Sequence, residues 1–180
     1  MRTIKRMHIL AGMTLMLIGC LSAYSQENPK LSDPEVASVA VVANQIDISY
    51  AEIAMKRSKN KDVLEFAQRM LTDHKAVIEQ AVALVTKLSV TPKDNAVSQS
   101  LLEGAKETKK MLQKASKKKF DQVYIDNEVA YHEAVIEAIK NLLIPESENS
   151  ELKELLTNVL PALEAHLEHA KMVQKKVSKY

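Results

Sequence analysis

The sequence predicts an all-α protein, a four-helix bundle with one extra crossover helix. Three observations predict it. Ala, Leu, Val, Ile, Lys and Glu dominate the 180 residues, against three glycines, five prolines and no tryptophan. That composition favours helices and leaves little turn chemistry for hairpins. Four stretches carry apolar residues in steps of three and four, the spacing of one helix face. Two short polar breaks, "SKNKD" (58–62) and "IPESENS" (144–150), join those stretches in pairs, as antiparallel helical hairpins require.

Residues 1–25 read as a secretory leader and not as fold. "MRTIKRMH" is a basic start, and "ILAGMTLMLIG" is an apolar run too short to span a membrane comfortably. Two cleavage readings compete. "LIGC" (Leu17 to Cys20) resembles the bacterial lipobox, in which the cysteine becomes the lipidated first residue. "AYS" before Gln26 has the small residues of an ordinary signal-peptidase site. Cys20 is the only cysteine and occupies the lipobox position, which weighs towards lipidation. Either way the expected product is exported, periplasmic or anchored in the outer membrane through a lipid, and has no internal disulfide. Removing residues 1–19 takes away Arg2, Lys5 and Arg6 and leaves 22 basic against 23 acidic residues. A near-neutral protein has no general affinity for nucleic acid. Nothing in the chain points to a particular protein partner.

A polar tether (26–32) precedes the bundle domain (33–180). "SDPE" starts helix 1, with Asp33 as cap before Pro34 or with a Ser32–Glu35 capping box. Helix 1 runs to about Arg57 on the stripe Val36, Ala40, Ala43, Asp47, Tyr50, Ala54. Asn60 is the candidate cap of helix 2, which runs to about Leu88 on Val63, Ala67, Met70, His74, Val77, Ala81, Leu84 and Leu88. "SVTPKD" ends it and starts helix 3, with Thr91 as cap and Pro92 behind it. Helical pattern then persists to Ile144, a length of ~80 Å at 1.5 Å per residue, too long for one piece. The break falls around "ASKKKF", although no Gly or Pro marks it. Helix 3 (about 92–115) is then the crossover, and helix 4 (about 118–144) carries Tyr124, Glu128, Tyr131, Val135, Ala138 and Leu142. Helix 5 runs from about Glu151 on Leu152, Leu156, Val159, Leu163, His166, Ala170, Val173 and Val177. Pro161 inside it removes one backbone donor and should kink it.

Each of the four main stripes contains a carboxylate or a histidine: Asp47, His74, Glu128 and His166. Such groups are costly to bury unless paired, hydrogen-bonded or metal-bound. Counting from the turns near Lys59 and Ser147, Asp47 lies level with His74, and Glu128 with His166, within ~5 Å along the axis. His166 is expected to face Glu128 across the helix 4–5 hairpin. Whether the two pairs share a level depends on the crossover. Two carboxylates and two imidazoles in a bundle core are the ingredients of a site for one zinc, iron or copper ion. They are equally the ingredients of a buried polar network that fixes register without metal. His132, one turn beyond Glu128 and about 40° further round, is placed at the edge as an alternative ligand, an outer partner or a half-buried histidine. His169 falls off the stripe and is expected in solvent. Met70, one turn before His74, would suit copper if it joined, but a methionine in a stripe is more often core. Lys106, Lys109, Lys110, Lys114, Lys117, Lys118 and Lys119 form a basic run. It reads as a solvated face or as a surface for lipid phosphates. No nucleophile–base–acid set and no phosphate-binding glycine loop is present.

Four stretches carry a resemblance: "NQIDISYAEIA", "VLEFAQRMLTDH", "FDQVYIDNEVAYH" and "LPALEAHLEHA". They resemble the signature stretches of a bacterial family of unknown function, number 4142, over about residues 33–177. The motifs are M-x-x-D-H, F-D-x-x-Y with a histidine 12 after the Phe, and P-x-L-x-x-H-L. The resemblance implies a ferritin-like helical bundle and a predicted outer-membrane address, and supplies no activity. It marks Asp73, His74, Phe120, Asp121, Tyr124, His132, Pro161 and His166 as motif positions. The family usually has glutamate where this chain has Asp47, which shortens the reach there. Ferritin-like di-iron proteins place Glu-x-x-His on two helices, and this chain has no Glu-x-x-His. A ferroxidase or di-iron oxygenase is therefore not expected.

Overall fold

The computed structural model describes residues 30–178. The leader, Cys20 with its lipobox, and most of the tether lie outside the described residues. Within them every regular element is helical: α1 (Asp33–Arg57), α2 (Lys61–Lys87), α3 (Ala96–Lys114), α4 (Phe120–Ala138) and α5 (Ser150–Val177). α4 runs on through a π-helical turn (Ile139–Leu143) and a last α turn (Ile144–Glu146). None of these helices is long and apolar enough to cross a membrane.

α1 pairs with α2 and α4 with α5; α2 against α5 and α1 against α4 close the ring, and α3 lies along α1. The caps are local chemistry. The Glu35 carboxylate accepts from both the backbone N–H and the hydroxyl of Ser32, so Ser32 rather than Asp33 caps α1. Asp33 instead accepts from the backbone of Glu148 and Asn149 and ties the second hairpin loop to the start of α1. Asn60 and Asn149 cap α2 and α5. Leu31, at the end of the tether, is buried, and its N–H donates to Glu146.

The crossover helix begins later than its sequence predicts. Thr91 is not the cap; Asn95 is, accepting from the N–H groups of Val97 and Ser98. The residues before it pair with the first turns of α1, Lys93 N–H with Pro34 and the Asn95 amide with Glu35. That tertiary pairing holds them out of the helix. The end of α3 is fixed by Arg57 of α1, which donates to the carbonyls of Leu112 and Ala115 and covers the Phe120 ring at 4.7 Å. An arginine from another helix thus does what no Gly or Pro does here.

α1 buries a wider face than its stripe, adding Ala37, Val39, Val42, Ile46 and Ala51, because it meets α2, α3 and α4 together. On α4 the buried face runs through Tyr124, Ile125, Glu128, His132 and Ile136. Tyr131, Val135, Ala138 and Leu142 of the expected stripe are only half-buried. Pro161 sits inside α5 without ending it. Two apolar clusters result. One gathers Val63, Phe66, Met70, Leu112, Phe120 and Tyr124. The other gathers Val36, Val39, Ile139, Leu143, Leu152 and Leu156. On α4 and α5 the buried ionisable residues fall between the buried residues of the two clusters, whereas Asp47 lies within the first cluster's stretch of α1 and His74 follows Met70 of that cluster.

Candidate metal centre

Asp47 (α1), His74 (α2), Glu128 and His132 (α4) and His166 (α5) are all at most 4% exposed. The ring closure brings them to one level. Asp47 Oδ2 lies 3.4 Å from His74 Nε2 and 3.7 Å from His132 Nε2. His132 Nδ1 lies 3.7 Å from Glu128 Oε2. Ligand-capable atoms of His74, His132 and His166 lie within 4.8 Å of one another, as do those of Asp47, Glu128 and His132. His132 belongs to both groups.

Each imidazole is held from behind. His74 Nδ1 lies 2.7 Å from the Asn44 amide oxygen, and the Asn44 NH₂ group donates to the Ala40 carbonyl, which fixes the amide's orientation. An amide oxygen only accepts, so the proton sits on Nδ1 and Nε2 carries a lone pair. His132 Nδ1 donates to the Glu128 carbonyl at 2.9 Å, which also leaves Nε2 unprotonated. His166 Nε2 donates at 2.8 Å to Asp73, itself bound by Arg69, leaving the lone pair on Nδ1. All three remaining nitrogens are buried without a hydrogen-bond partner. Both oxygens of Asp47 and of Glu128 are buried without one too.

Burial sets the charge state. It pushes the Asp47 carboxyl up to about 8. It raises Glu128 well above the usual carboxylate range, with Asp47 adding to the effect. It lowers His74 to about 3 and His132 to about 4. Burial lowers His166 as well, partly offset by its bond to Asp73. At Asp73 burial works upward, but the hydrogen bonds from His166 and Arg69 outweigh it and hold the carboxyl below its usual value. Between pH 6.5 and 8 the three imidazoles and Asp47 are therefore predominantly uncharged, and Glu128 is biased in the same direction, so neutral lone pairs and carboxylic acids meet in an apolar shell.

Some expectations change. His132 is not at the edge; it is 1% exposed and central. The reason is the rotation of α4 already described. His166 does not pair with Glu128. Its partner is Asp73, across α5 and α2. The resemblance marks Asp73 as a motif position without giving it a role, and Asn44 was missed; neither lies on a buried stripe, and only the neighbouring helix reveals their targets. His169 is not fully solvated but half-buried, packed edge-on against Phe66 with centroids 5.3 Å apart. Met70 is buried in the same apolar cluster as Phe66. In the basic run Lys106 and Lys110 pair with Glu103 and Glu107 one turn back, and all but Lys109 are exposed.

The family described as "Domain of unknown function (DUF4142)" matches residues 19–173, and the chain belongs to it. No curated protein and no solved structure matches the chain.

Proposed function

We propose that this is an exported bundle protein that binds one divalent transition-metal ion in its core. His74, His132 and His166 would supply nitrogens and Asp47 an oxygen. One observation carries the reading: three buried imidazoles, each anchored by its outer N–H and each with a partnerless second nitrogen, bring ligand-capable atoms within 4.8 Å of one another. Metal-binding histidines are oriented this way, with the second nitrogen bound to a carboxylate, carbonyl or amide. The spacing fits. A tetrahedron with bonds of ~2.0–2.1 Å has edges of about 3.3 Å. The two Asp47–histidine separations, 3.4 and 3.7 Å, are close to that. Charge fits as well. With Asp47 and Glu128 ionised, two negative charges balance a dication, so no net charge is buried. The donor set is nitrogen and oxygen, which suits zinc first and iron(II) second; copper would need Met70 to join.

The rival reading, a polar network that only fixes register in a structural or stress-associated envelope protein, calls for groups that satisfy one another. The partnerless oxygens and nitrogens favour the metal reading instead. A mononuclear binding or buffering role, not catalysis, is the activity proposed. The kinship to ferritin-like folds is part of the same proposal, supported by the ring of four helices with one long crossover. Export and lipid anchoring through Cys20 stand on the leader alone. Calorimetry with zinc, iron(II) and copper on chelator-treated protein tests the centre. One site per chain is expected for zinc, lost in His74→Ala and in His132→Ala. Zinc binding untouched by both substitutions would refute it.

A further inference from the structure

A cavity of about 200 Å³ opens from the metal-centre level towards the end of the bundle where α1 begins. Asn44, Asp47, His74 and His132 form one end of its wall. Beyond them the only polar side chain in the wall among the described residues is Tyr131, whose hydroxyl is already donating to the Ala43 carbonyl. The remainder is aliphatic. α1 contributes Ala37, Ala40 and Ala43, small side chains that leave the space unfilled. α4 contributes Ile139 and Leu143, the first and last residues of the π-helical turn. Such turns cost hydrogen-bond geometry and recur at functional sites. On α2 and α5, Val77, Ile78, Leu84, Leu155 and Val159 face the cavity yet stay half-buried, so it reaches towards solvent between these helices.

A water needs two to four polar partners, which this wall offers only at its histidine end. Apolar cavities of ~150 Å³ accept benzene, about 25 Å³ per carbon, so a cavity of this size takes about eight carbons. We propose that it binds the hydrocarbon part of a small amphiphile, with one oxygen-bearing head group against Asp47, His74 and His132. The tail's site stands on the cavity alone; only the head group's contact rests on the metal reading.

The test uses the purified protein and a series of 1-alkanols from butanol to dodecanol, titrated by calorimetry in chelator. Affinity should rise about fourfold per added methylene, the factor for burying one CH₂, and stop rising near octanol. Ala81→Leu fills the cavity from α2, and should weaken octanol at least tenfold while the helical circular-dichroism signal persists. Leu156→Ala lengthens the cavity and should move the cut-off to longer chains. Affinity independent of chain length, or unchanged in folded Ala81→Leu, would overturn the proposal. A second arm compares octanoate with and without zinc. Octanoate should bind at least tenfold tighter to zinc-loaded protein, its carboxylate adding a fifth ligand beside the four protein donors. An alkanol series that behaves as expected beside zinc-independent octanoate overturns the head-group contact and leaves the tail's site. Zinc binding without any chain-length dependence overturns the tail's site and leaves the metal centre.

Discussion

In metal-free protein, stability should fall as pH rises from 6.5 to 8. Asp47 ordinarily titrates at 3.8 and in the folded chain near 8. A carboxyl whose folded pKa is raised contributes stability that is complete below its unfolded value and lost as pH climbs through the folded one. Between those values the folded chain holds a proton that the unfolded chain has released, and each pH unit costs about 1.4 kcal/mol. From pH 6.5 to 8 Asp47 alone removes about 2 kcal/mol, and Glu128, also raised, acts in the same direction. The histidines work oppositely but lower down. Their pKa values are depressed from 6.5, so their contribution is complete above that value and lost only on acidification. For a domain of this size about 2 kcal/mol corresponds to a Tm drop of roughly 4–8 °C. The assay is thermal unfolding by circular dichroism in chelator at pH 6.5, 7.25 and 8. Asp47→Asn removes the titrating group and should flatten much of the slope. Saturating zinc should reverse the trend, because the ion binds the ionised carboxylate and displaces its proton. A metal-free Tm that is flat or rising over this range would refute the reasoning.

Asp73→Asn removes the carboxylate behind His166. It should weaken zinc about 10- to 100-fold by calorimetry, the usual loss for an outer partner of a metal ligand, with little change in metal-free stability. His166→Leu should abolish tight zinc binding yet leave metal-free stability level or higher by urea titration, since it removes a buried unpartnered nitrogen. Asn149→Ala should cost about 1 kcal/mol in the same assay through the lost α5 cap. Intact-mass analysis of the native product should find a lipidated N-terminus at Cys20; an unmodified start at Gln26 would refute anchoring.

What the sequence determined by itself was local. Helix periodicity depends only on rise and turn per residue, so the bundle helices and the inward placement of Asp47, His74, Glu128 and His166 were readable along the chain. Asn60 as a cap was readable for the same reason, and so was the break near "ASKKKF", because one unbroken helix would be too long. Tertiary packing decided the rest. An α-helix face drifts relative to a three–four stripe, so which side of α4 points inward depends on its neighbours, and packing turned His132 from a flank into the centre. Loop lengths set heights within a hairpin, but only the crossover sets one hairpin against the other, so the common level of the two pairs was not legible. The start of α3 was set by hydrogen bonds to the first turns of α1, and its end by Arg57, both far away in sequence. Asp73 and Asn44 acquire a role only because α5 brings His166 to the one and α1 meets His74 with the other. The cavity belongs to no single helix; it is the volume that small side chains on α1 leave when four helices close around them.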